Sequence, residues 1–363
     1  MEDNSYEIIR LDAATPDKVK AKVLLIYTGG TFGMGQDKNG MLVPFDFHEL
    51  LSQAPSIRAF SLQVTIVAFK HPIDSSDIRP QNWTNLSEII KKFYHLHDGF
   101  VILHGTDTMA YTASALSFYL QGLTKPVILT GAQLPITAVR TDALSNLVTA
   151  LEIASGKNEQ GRPYVAEVCL YFNNQLLRGN RAQKVQSKQF DAYSSPNYPV
   201  LANSGIEIMY NTAYIKKYNS PTELNINGNW EQKVGVVKLF PGITKEFLQP
   251  IFENQYLRGI ILETFGLGNA MANTWLMALI KGAINRKVVV LNVSQCMGGE
   301  VMQGKYKSSE ALLEAGVVNG YDLTTEAAVT KMMYLLGKGK SYNNTIEELI
   351  TPISGEMTVR EPY

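Results

Sequence analysis

Cysteine, net charge and long apolar runs are all scarce in this chain of 363 residues. Only two cysteines occur, Cys169 and Cys296, and neither has a histidine or cysteine neighbour at metal-ligand spacing. We expect both to be buried structural thiols in a reducing compartment rather than disulfide partners. Basic and acidic side chains balance at 33 each, so no strongly charged surface for nucleic acid or an anionic membrane is expected.

Membrane-spanning and secreted classes of protein are also disfavoured. The longest apolar runs are like VVVLNV at 288–293, far short of the about 20 residues that a transmembrane helix needs. The first twenty residues are polar and lack the apolar segment of a signal peptide. We therefore expect a cytoplasmic protein without a membrane partner.

Motifs of several enzyme classes are missing from the sequence. The five histidines show no HExxH spacing, and the nucleophile motif GxSxG does not occur. GLGNAM at 266–271 lacks the third glycine of a dinucleotide fingerprint. We expect neither a metal nor an organic cofactor.

Strand-like and helix-like segments alternate along the chain, a pattern typical of α/β proteins with parallel sheets. We predict two doubly wound domains with mainly parallel sheets, a larger N-terminal one and a smaller C-terminal one. The first set has predicted strands at 22–27, 64–69, 100–104, 126–131 and 165–172, with helices at 82–97, 109–121 and 142–155. The second set has predicted strands at 234–240, 257–265 and 287–295, with a helix at 324–338.

The composition shifts between these two sets. Segments 194–205 and 214–232 are rich in Ser, Pro, Asn and Gly, which favours an interdomain connection. We predict an N-terminal domain at 1–205, a linker at 206–232 and a C-terminal domain at 233–363.

Two turns after apolar strands carry threonine hydroxyls. TGGT ends in Thr31, and HGTDT contains Thr106 and Asp107. In an open parallel sheet, ligands bind beyond the carboxyl ends of the strands, so two hydroxyls and a carboxylate can surround one small molecule there. Each turn also has an ordinary interpretation: a connecting or phosphate-binding glycine turn for the first, helix N-capping for the second.

Further polar groups lie outside these two turns. Asp74, Ser75 and Ser76 offer a carboxylate and two hydroxyls able to hold a zwitterion, although the pattern alone is an ordinary Asx-turn signal. A basic run, Arg178, Arg181, Lys184 and Lys188, indicates either a solvated face or a base for the site.

Taken together, these motifs resemble the cytosolic (type I) L-asparaginases. The resemblance rests on TGGTFGM, DSSD, HGTDTMAYTASALSF, ILTGAQLP, FNNQLLRGNRAQK and ETFGLGNA, in this order, and covers nearly the whole chain after the first twenty residues. It implies that Thr31 is the nucleophile, and that Thr106, Lys184 and Asp107 form a second hydroxyl–base–carboxylate set. It further implies that Asp74, Ser75, Ser76, Thr106 and Asp107 bind the substrate.

The resemblance also implies a homo-oligomer, either a dimer or a dimer of dimers. In that family the second domain of one subunit borders the neighbour's site, and Asn269 matches the residue that crosses over. The loop tyrosine of many relatives is replaced here by Met41 or Leu42. We therefore expect Tyr306 to approach Thr31 instead.

A second departure concerns regulation. Some relatives bind asparagine at an allosteric site through an arginine, where this chain has Glu263, and Gln183 replaces a threonine before the site lysine. A carboxylate repels the carboxylate of asparagine, so we expect no such activation.

The resulting hypothesis is hydrolysis of the side-chain amide of L-asparagine to aspartate and ammonia, through Thr31 and an acyl-enzyme. Two alternatives stay open. One is the amide-hydrolysing subunit of a tRNA-dependent amidotransferase. The other is a non-catalytic amino-acid-binding protein, which would need no nucleophile.

Overall fold

The computed structural model describes residues 5–11, 19–36, 42–44, 61–218, 223–226, 228–271, 273–305 and 307–359. The chain divides between Ile226 and Asn227 into two compact units. Each unit has its own sheet and its own helices.

The first unit contains fifteen of the described strands and three of the described α-helices. Its strands are β1 (Tyr6–Leu11), β2 (Ala21–Tyr27), β3 (Met34–Gln36), β4 (Leu42–Pro44), β5 (Leu62–Phe69), β6 (Gly99–Leu103), β7 (Leu120–Gln121), β8 (Val127–Thr130), β9 (Val168–Phe172), β10 (Gln175–Arg178), β11 (Gln183–Lys184), β12 (Tyr193–Ser194), β13 (Ala202–Ser204), β14 (Ile208–Tyr210) and β15 (Asn225–Ile226). Its helices are α1 (Pro80–Phe93), α2 (Met109–Tyr119) and α3 (Ala143–Ser155).

Nine of these strands form one sheet, in the order β1-β5-β2-β6-β8-β9-β10-β13-β14. The five strands from β5 to β9 run parallel, and the outer strands pair antiparallel. The chain moves from β2 outward to β5 on one side, and then to β6, β8 and β9 on the other. The direction of winding therefore changes between β2 and β6, which is where doubly wound proteins bind ligands.

Strand β2 shows why its sequence is a continuous apolar run. Val23 and Leu25 pack into the core on the α3 face, while Leu24 and Ile26 pack into the core under α1 and α2. A strand covered on both faces needs apolar side chains at successive positions. The predicted doubly wound α/β architecture is confirmed for this unit.

The boundaries of α1 differ from the prediction. The helix begins at Pro80 rather than Asn82, and a 3-10 turn follows it at Tyr94–Leu96. Proline suits the first helical turn because its missing N–H would have no partner there. Asn82 still contributes, since its side-chain oxygen accepts a hydrogen bond of 2.8 Å from the Arg79 N–H.

A hairpin at the end of β9 turns the chain back along the sheet. Asn173 and Asn174 take positive φ values of 45° and 64°, as a two-residue turn of the hairpin type requires. The returning strand β10 is followed by a 3-10 turn at Gly179–Arg181 and then by β11. This path brings Lys184 back to the carboxyl edge of the sheet.

The first unit extends further than residue 205. Strand β14 pairs with β13 in the large sheet, and β15 pairs with β7. Residues 206–218 and 223–226, predicted as linker, thus belong to the first unit, and backbone hydrogen bonds of β14 and β15 that their composition does not reveal attach them to it.

The second unit is built on a four-stranded parallel sheet in the order β16-β17-β18-β19. Its strands are β16 (Val234–Lys238), β17 (Gly259–Thr264), β18 (Val289–Ser294) and β19 (Val318–Asn319). Its helices are α4 (Lys245–Phe252), α5 (Thr274–Asn285), α6 (Lys307–Glu314), α7 (Thr325–Gly337) and α8 (Tyr342–Leu349). The smaller parallel C-terminal domain is therefore confirmed.

One expectation about a single side chain is wrong, and one of the two alternatives for the basic run fails. Cys169 is buried as expected, but Cys296 is exposed because it follows the end of β18 in a turn. Arg178 and Arg181 do not form a solvated face. Arg178 is buried in an ion pair with Glu167 at 2.6 Å, and Arg181 is also buried.

No helix among the described residues is both long enough and apolar enough to cross a membrane.

Candidate active site

Three turns at the carboxyl edge of the first sheet are in close contact with one another. Gly29 and Gly30, after β2, have φ values of +126° and +88°. A Cβ on Gly30 would lie 2.4 Å from the Cα of Gly105, after β6, and one on Gly105 would lie 2.7 Å from the Cβ of Ser75, after β5. Only glycine allows this close approach, which explains the glycines of both motifs.

Thr31 stands at the start of the 3-10 turn Thr31–Gly33 and is half-buried. Phe32 anchors this turn because its side chain is fully buried and its carbonyl accepts a 3.3 Å hydrogen bond from Ile136 N–H. The turn is aligned with its neighbour because Thr28 N–H donates to the Leu103 carbonyl at 3.1 Å. Thr31 and Thr106 therefore each follow a glycine that contacts the other's turn.

Lys184 joins the two polar side chains of the second turn. Its Nζ donates to Thr106 Oγ1 at 2.8 Å and to Asp107 Oδ1 at 2.7 Å. The Lys184 side chain is 18% exposed, whereas that of Asp107 is 66% exposed. The cluster thus places a nearly buried hydroxyl and ammonium beside a carboxylate that an incoming ligand can reach.

The hairpin that carries Lys184 makes a second contact with Thr106. Tyr193 lies opposite Lys184 in the β11–β12 ladder, and its hydroxyl donates to the Thr106 backbone carbonyl. The sequence alone did not indicate Tyr193, because it lies 87 residues from Thr106 in the chain. Only the register of the β11–β12 ladder places the two residues in contact.

Ser75 supports the second turn as well. Its buried hydroxyl accepts from Asp107 N–H at 3.2 Å, and its carbonyl accepts from Thr108 Oγ1 at 2.6 Å. Thr108 precedes α2 without making a side-chain cap, so the N-capping interpretation fails for this helix. The polar residues of HGTDT are instead used between turns.

Asp74 and Ser76 form the Asx turn that the sequence also allowed. Asp74 Oδ1 accepts from both the backbone N–H and the hydroxyl of Ser76, each at 2.9 Å. The hydrogen bond from the Ser76 backbone, followed by that from its side chain, lowers the pKa of Asp74. Both side chains are exposed, and the Asp74 carboxylate keeps a negative charge at the edge of the site.

A buried polar chain lies beneath the second turn. Trp83 Nε1 donates to Thr112 Oγ1 at 3.1 Å, and the Thr112 hydroxyl lies 2.9 Å from His104 Nε2. His104 Nδ1 lies 2.7 Å from the Gly105 carbonyl, so a neutral ring with its proton on Nδ1 satisfies every contact. Burial lowers the pKa of His104 to about 4.

The remaining predicted residues are not brought to this cluster by the described contacts. Asn269 lies in the second unit, half-buried in a turn where its N–H donates to the Phe265 carbonyl at 2.8 Å. Tyr306 and Met41 fall outside the described residues, and Leu42 lies in β4. Within the described ranges, no three His, Cys, Asp or Glu side chains are grouped so as to hold a metal ion.

Comparison with known proteins gives matches along most of the chain. The family model "Asparaginase, N-terminal" matches residues 22–216, and "Glutaminase/Asparaginase C-terminal domain" matches residues 233–349. L-asparaginase 1 of Escherichia coli (strain K12) is 39% identical over 348 residues, covering 93% of this chain and 98% of that protein.

Two further relatives extend the comparison. The crystal structure of L-asparaginase I from Vibrio cholerae has a TM-score of 0.84 at 40% identity and covers 93% of this chain and 99% of its own. The 60 kDa lysophospholipase of Mus musculus is 38% identical over 93% of this chain, but the match covers only 63% of that protein.

A doubly wound α/β unit with a polar cluster at its switch point, followed by a smaller parallel domain, defines a two-domain α/β enzyme. The matches agree in both halves of the chain. The chain belongs to the asparaginase family of amidohydrolases, and the resemblance to its type I members is confirmed.

Proposed function

We propose that this protein hydrolyses the side-chain amide of L-asparagine to L-aspartate and ammonia, with Thr31 as nucleophile. The observation that carries the proposal is the contact of Lys184 Nζ with both Thr106 Oγ1 and Asp107 Oδ1, beside the turn that presents Thr31. The relatives named L-asparaginase support the choice of substrate.

The substrate has three polar groups that the site must hold. The exposed carboxylate of Asp107 suits the α-ammonium group of asparagine, because opposite charges attract at short range. The Ser76 hydroxyl suits its α-carboxylate once it turns from Asp74 Oδ1 to the ligand. The side-chain amide is then left to face Thr31 and Thr106.

The reaction proceeds in two steps that balance. Thr31 Oγ bonds to the amide carbon, the C–N bond breaks, and the nitrogen leaves as ammonia with the proton that Thr31 gave up. Water then attacks the carbonyl carbon of the resulting ester, its proton passes by way of Thr106 and Lys184 to the Thr31 oxygen, and the bond between that oxygen and the carbon breaks to release aspartate. A hydroxyl needs an adjacent proton acceptor to act in this way.

Ammonia release from asparagine and from glutamine, side by side over a wide concentration range, tests the proposal. Wild-type protein should release ammonia from asparagine, and Thr31→Ala and Thr106→Ala should each abolish release while leaving the fold intact. Thr84→Ala serves as a control, because the hydroxyl of that half-buried threonine donates to the Pro80 carbonyl within α1. Near-normal turnover in either site variant would remove that threonine from its role.

The same measurement separates the two alternatives. A non-catalytic binding protein would show binding of asparagine in isothermal titration calorimetry but would release no ammonia. An amidotransferase subunit would release ammonia productively only with its partner and charged tRNA.

We also propose a homo-oligomeric, cytoplasmic enzyme in which Asn269 of one subunit borders the site of its neighbour. Mixing inactive Thr31→Ala and Asn269→Ala subunits should restore part of the activity if sites are shared in this way. We also propose that Tyr306 assists Thr31. An unchanged kcat in Tyr306→Phe would contradict this role of Tyr306.

A further inference from the structure

The β11–β12 ladder fixes two side chains side by side. Lys184 pairs with Tyr193 and Gln183 with Ser194, and Val185 N–H donates to the Ala192 carbonyl at 2.8 Å just beyond. Residues directly opposite each other in an antiparallel pair project their side chains on the same face. Lys184 and Tyr193 therefore reach out from one rigid support.

Both side chains hold the same residue, but at different atoms. Lys184 Nζ donates to the Thr106 hydroxyl at 2.8 Å, and the Tyr193 hydroxyl donates to the Thr106 backbone carbonyl. Thr106 is thus held at its side chain and at its backbone by one hairpin. The hairpin therefore fixes the distance between Thr106 Oγ1 and Lys184 Nζ, on which proton transfer depends.

The ring of Tyr193 is anchored independently of its hydroxyl. Tyr193 is 6% exposed and packs edge-on against Phe172, the last residue of β9, with ring centroids 5.2 Å apart. Phe172 is itself buried in the core under α1 and α2. A Tyr193→Phe change therefore removes the hydroxyl alone and leaves the ring packing in place.

We propose that Tyr193 is a positioning residue that sets the Thr106–Lys184 contact through the Thr106 carbonyl. The proposal rests on the proposed function of that pair. The peptide between Thr106 and Asp107 is held on one side by the Asp107 N–H, which donates to Ser75 Oγ at 3.2 Å, and on the other by the Tyr193 hydroxyl at the Thr106 carbonyl. Without the hydroxyl, one of these two restraints is lost, and the Thr106 side chain shifts relative to Lys184 Nζ.

The test compares Tyr193→Phe with wild type in steady-state hydrolysis of asparagine. Loss of one hydrogen bond of this kind should lower kcat about 10-fold. KM for asparagine should stay within about twofold, because the substrate-binding carboxylate of Asp107 is untouched. The pH profile of kcat should also shift, since the geometry of the proton-transfer pair changes, whereas a general loss of stability would not move it.

Tyr198→Phe is the matched control. Its hydroxyl also donates to a backbone carbonyl of the first unit, that of Tyr214 at 2.9 Å, and its ring lies against Arg178 and Arg181 rather than at the Thr106–Lys184 pair. Tyr198→Phe should keep both kcat and the pH profile. Melting temperatures of the two variants show whether any loss comes from unfolding.

Lys184→Met, measured in parallel, separates this inference from the proposed function. If Lys184→Met abolishes turnover while Tyr193→Phe keeps kcat and pH profile within twofold of wild type, the positioning role is wrong and the proposed function stands. If Lys184→Met itself turns over normally, the proposed function is wrong and the positioning role falls with it. A Tyr193→Phe loss equal in kcat and melting behaviour to that of Tyr198→Phe would also overturn the inference.

Discussion

Both units of this protein end parallel strands in polar residues, but they use those residues differently. In the first unit, Lys184 and Asp107 face a carboxyl edge where the carboxylate is 66% exposed. In the second unit, Thr264 Oγ1 donates to Asn292 Oδ1 at 2.6 Å, and Asn292 Nδ2 donates to the Gly268 carbonyl at 3.1 Å. Thr264 is the last residue of β17 and Asn292 lies within β18, and together they hold the loop that follows β17.

The difference shows why polar residues at strand ends are an incomplete sign of a site. Thr264 and Asn292 are both fully buried, so their hydrogen bonds compensate for lost hydration and contribute to stability. Asp107 is left open to solvent, where its charge can meet a ligand. Accessibility, more than residue type, separates the candidate active site from the structural network.

The largest expected effect comes from a substitution that breaks the Thr106–Asp107–Lys184 cluster of the first unit. Lys184→Met should lower kcat for asparagine by about 10³-fold, because proton transfer by a positioned group contributes about 10²–10⁴. Ammonia release measures this effect. Lys188→Met, four residues on and exposed, is the control and should retain full activity. A kcat of Lys184→Met within tenfold of that of wild type would contradict the assignment of the active site to this cluster.

The next effect concerns the buried base beneath the cluster. The pKa of His104 falls from 6.5 to about 4 on folding, so both states are neutral above pH 6.5 and only the unfolded chain binds a proton as the pH drops. The free energy of unfolding therefore decreases as the pH falls below 6.5, by about 3 kcal/mol at pH 4.

Urea unfolding at neutral and mildly acidic pH tests this linkage. His104→Gln should lose about 2 kcal/mol less than wild type between pH 7 and pH 5, whatever its absolute stability. His95→Gln, at an exposed histidine, should follow wild type. Parallel pH dependences for His104→Gln and wild type would show that the ring does not stay neutral.

A paired substitution sharpens the contrast between the two networks. Thr264→Val leaves Asn292 Oδ1 without its hydroxyl donor and should cost about 1–3 kcal/mol of stability with little change in kcat. Thr28→Val removes a 2.9 Å hydrogen bond from Thr28 Oγ1 to the Leu103 carbonyl, at the base of the Thr31 turn. Thr28→Val should lose both stability and activity. An equal loss of activity in Thr28→Val and Thr264→Val would contradict the distinction between the candidate active site and the structural network.

The smallest expected effect is an absence of cooperativity. Glu263 accepts a 2.6 Å hydrogen bond from Thr325 Oγ1 and lies 3.7 Å from Lys238 Nζ, so its carboxylate already has partners within the second unit. Initial rates should follow a hyperbola in asparagine concentration, with Glu263→Gln giving the same curve shape. A sigmoidal wild-type curve would refute the expectation.

The positions of the two turns after β2 and β6 could be predicted from the sequence, because local chemistry determines their structure. Gly29 and Gly30 are needed for positive φ, and the apolar strands before Thr31 and Thr106 place both turns on one edge of a parallel sheet. The order of strands then brings these turns together. Such information lies within short segments, which is why motif and periodicity were sufficient.

Other features depend on contacts that are distant in sequence. The proposed role of Tyr193 requires the β11–β12 register, and the burial of Arg178 requires Glu167, the residue before β9. Strands β13 and β14 are three residues each, too short to show alternation, so their membership in the large sheet was not predictable. The exposure of Cys296 is likewise set by where β18 ends.

The central claim is that Thr31 carries the acyl group at a site completed by Thr106, Asp107 and Lys184. Rapid acid quench during turnover of asparagine, followed by peptide mass spectrometry, tests it directly. The account predicts an aspartyl ester on Thr31 that disappears in Thr31→Ala. An ester on Thr106, or ammonia formed in a burst with Thr31 unmodified, would contradict it.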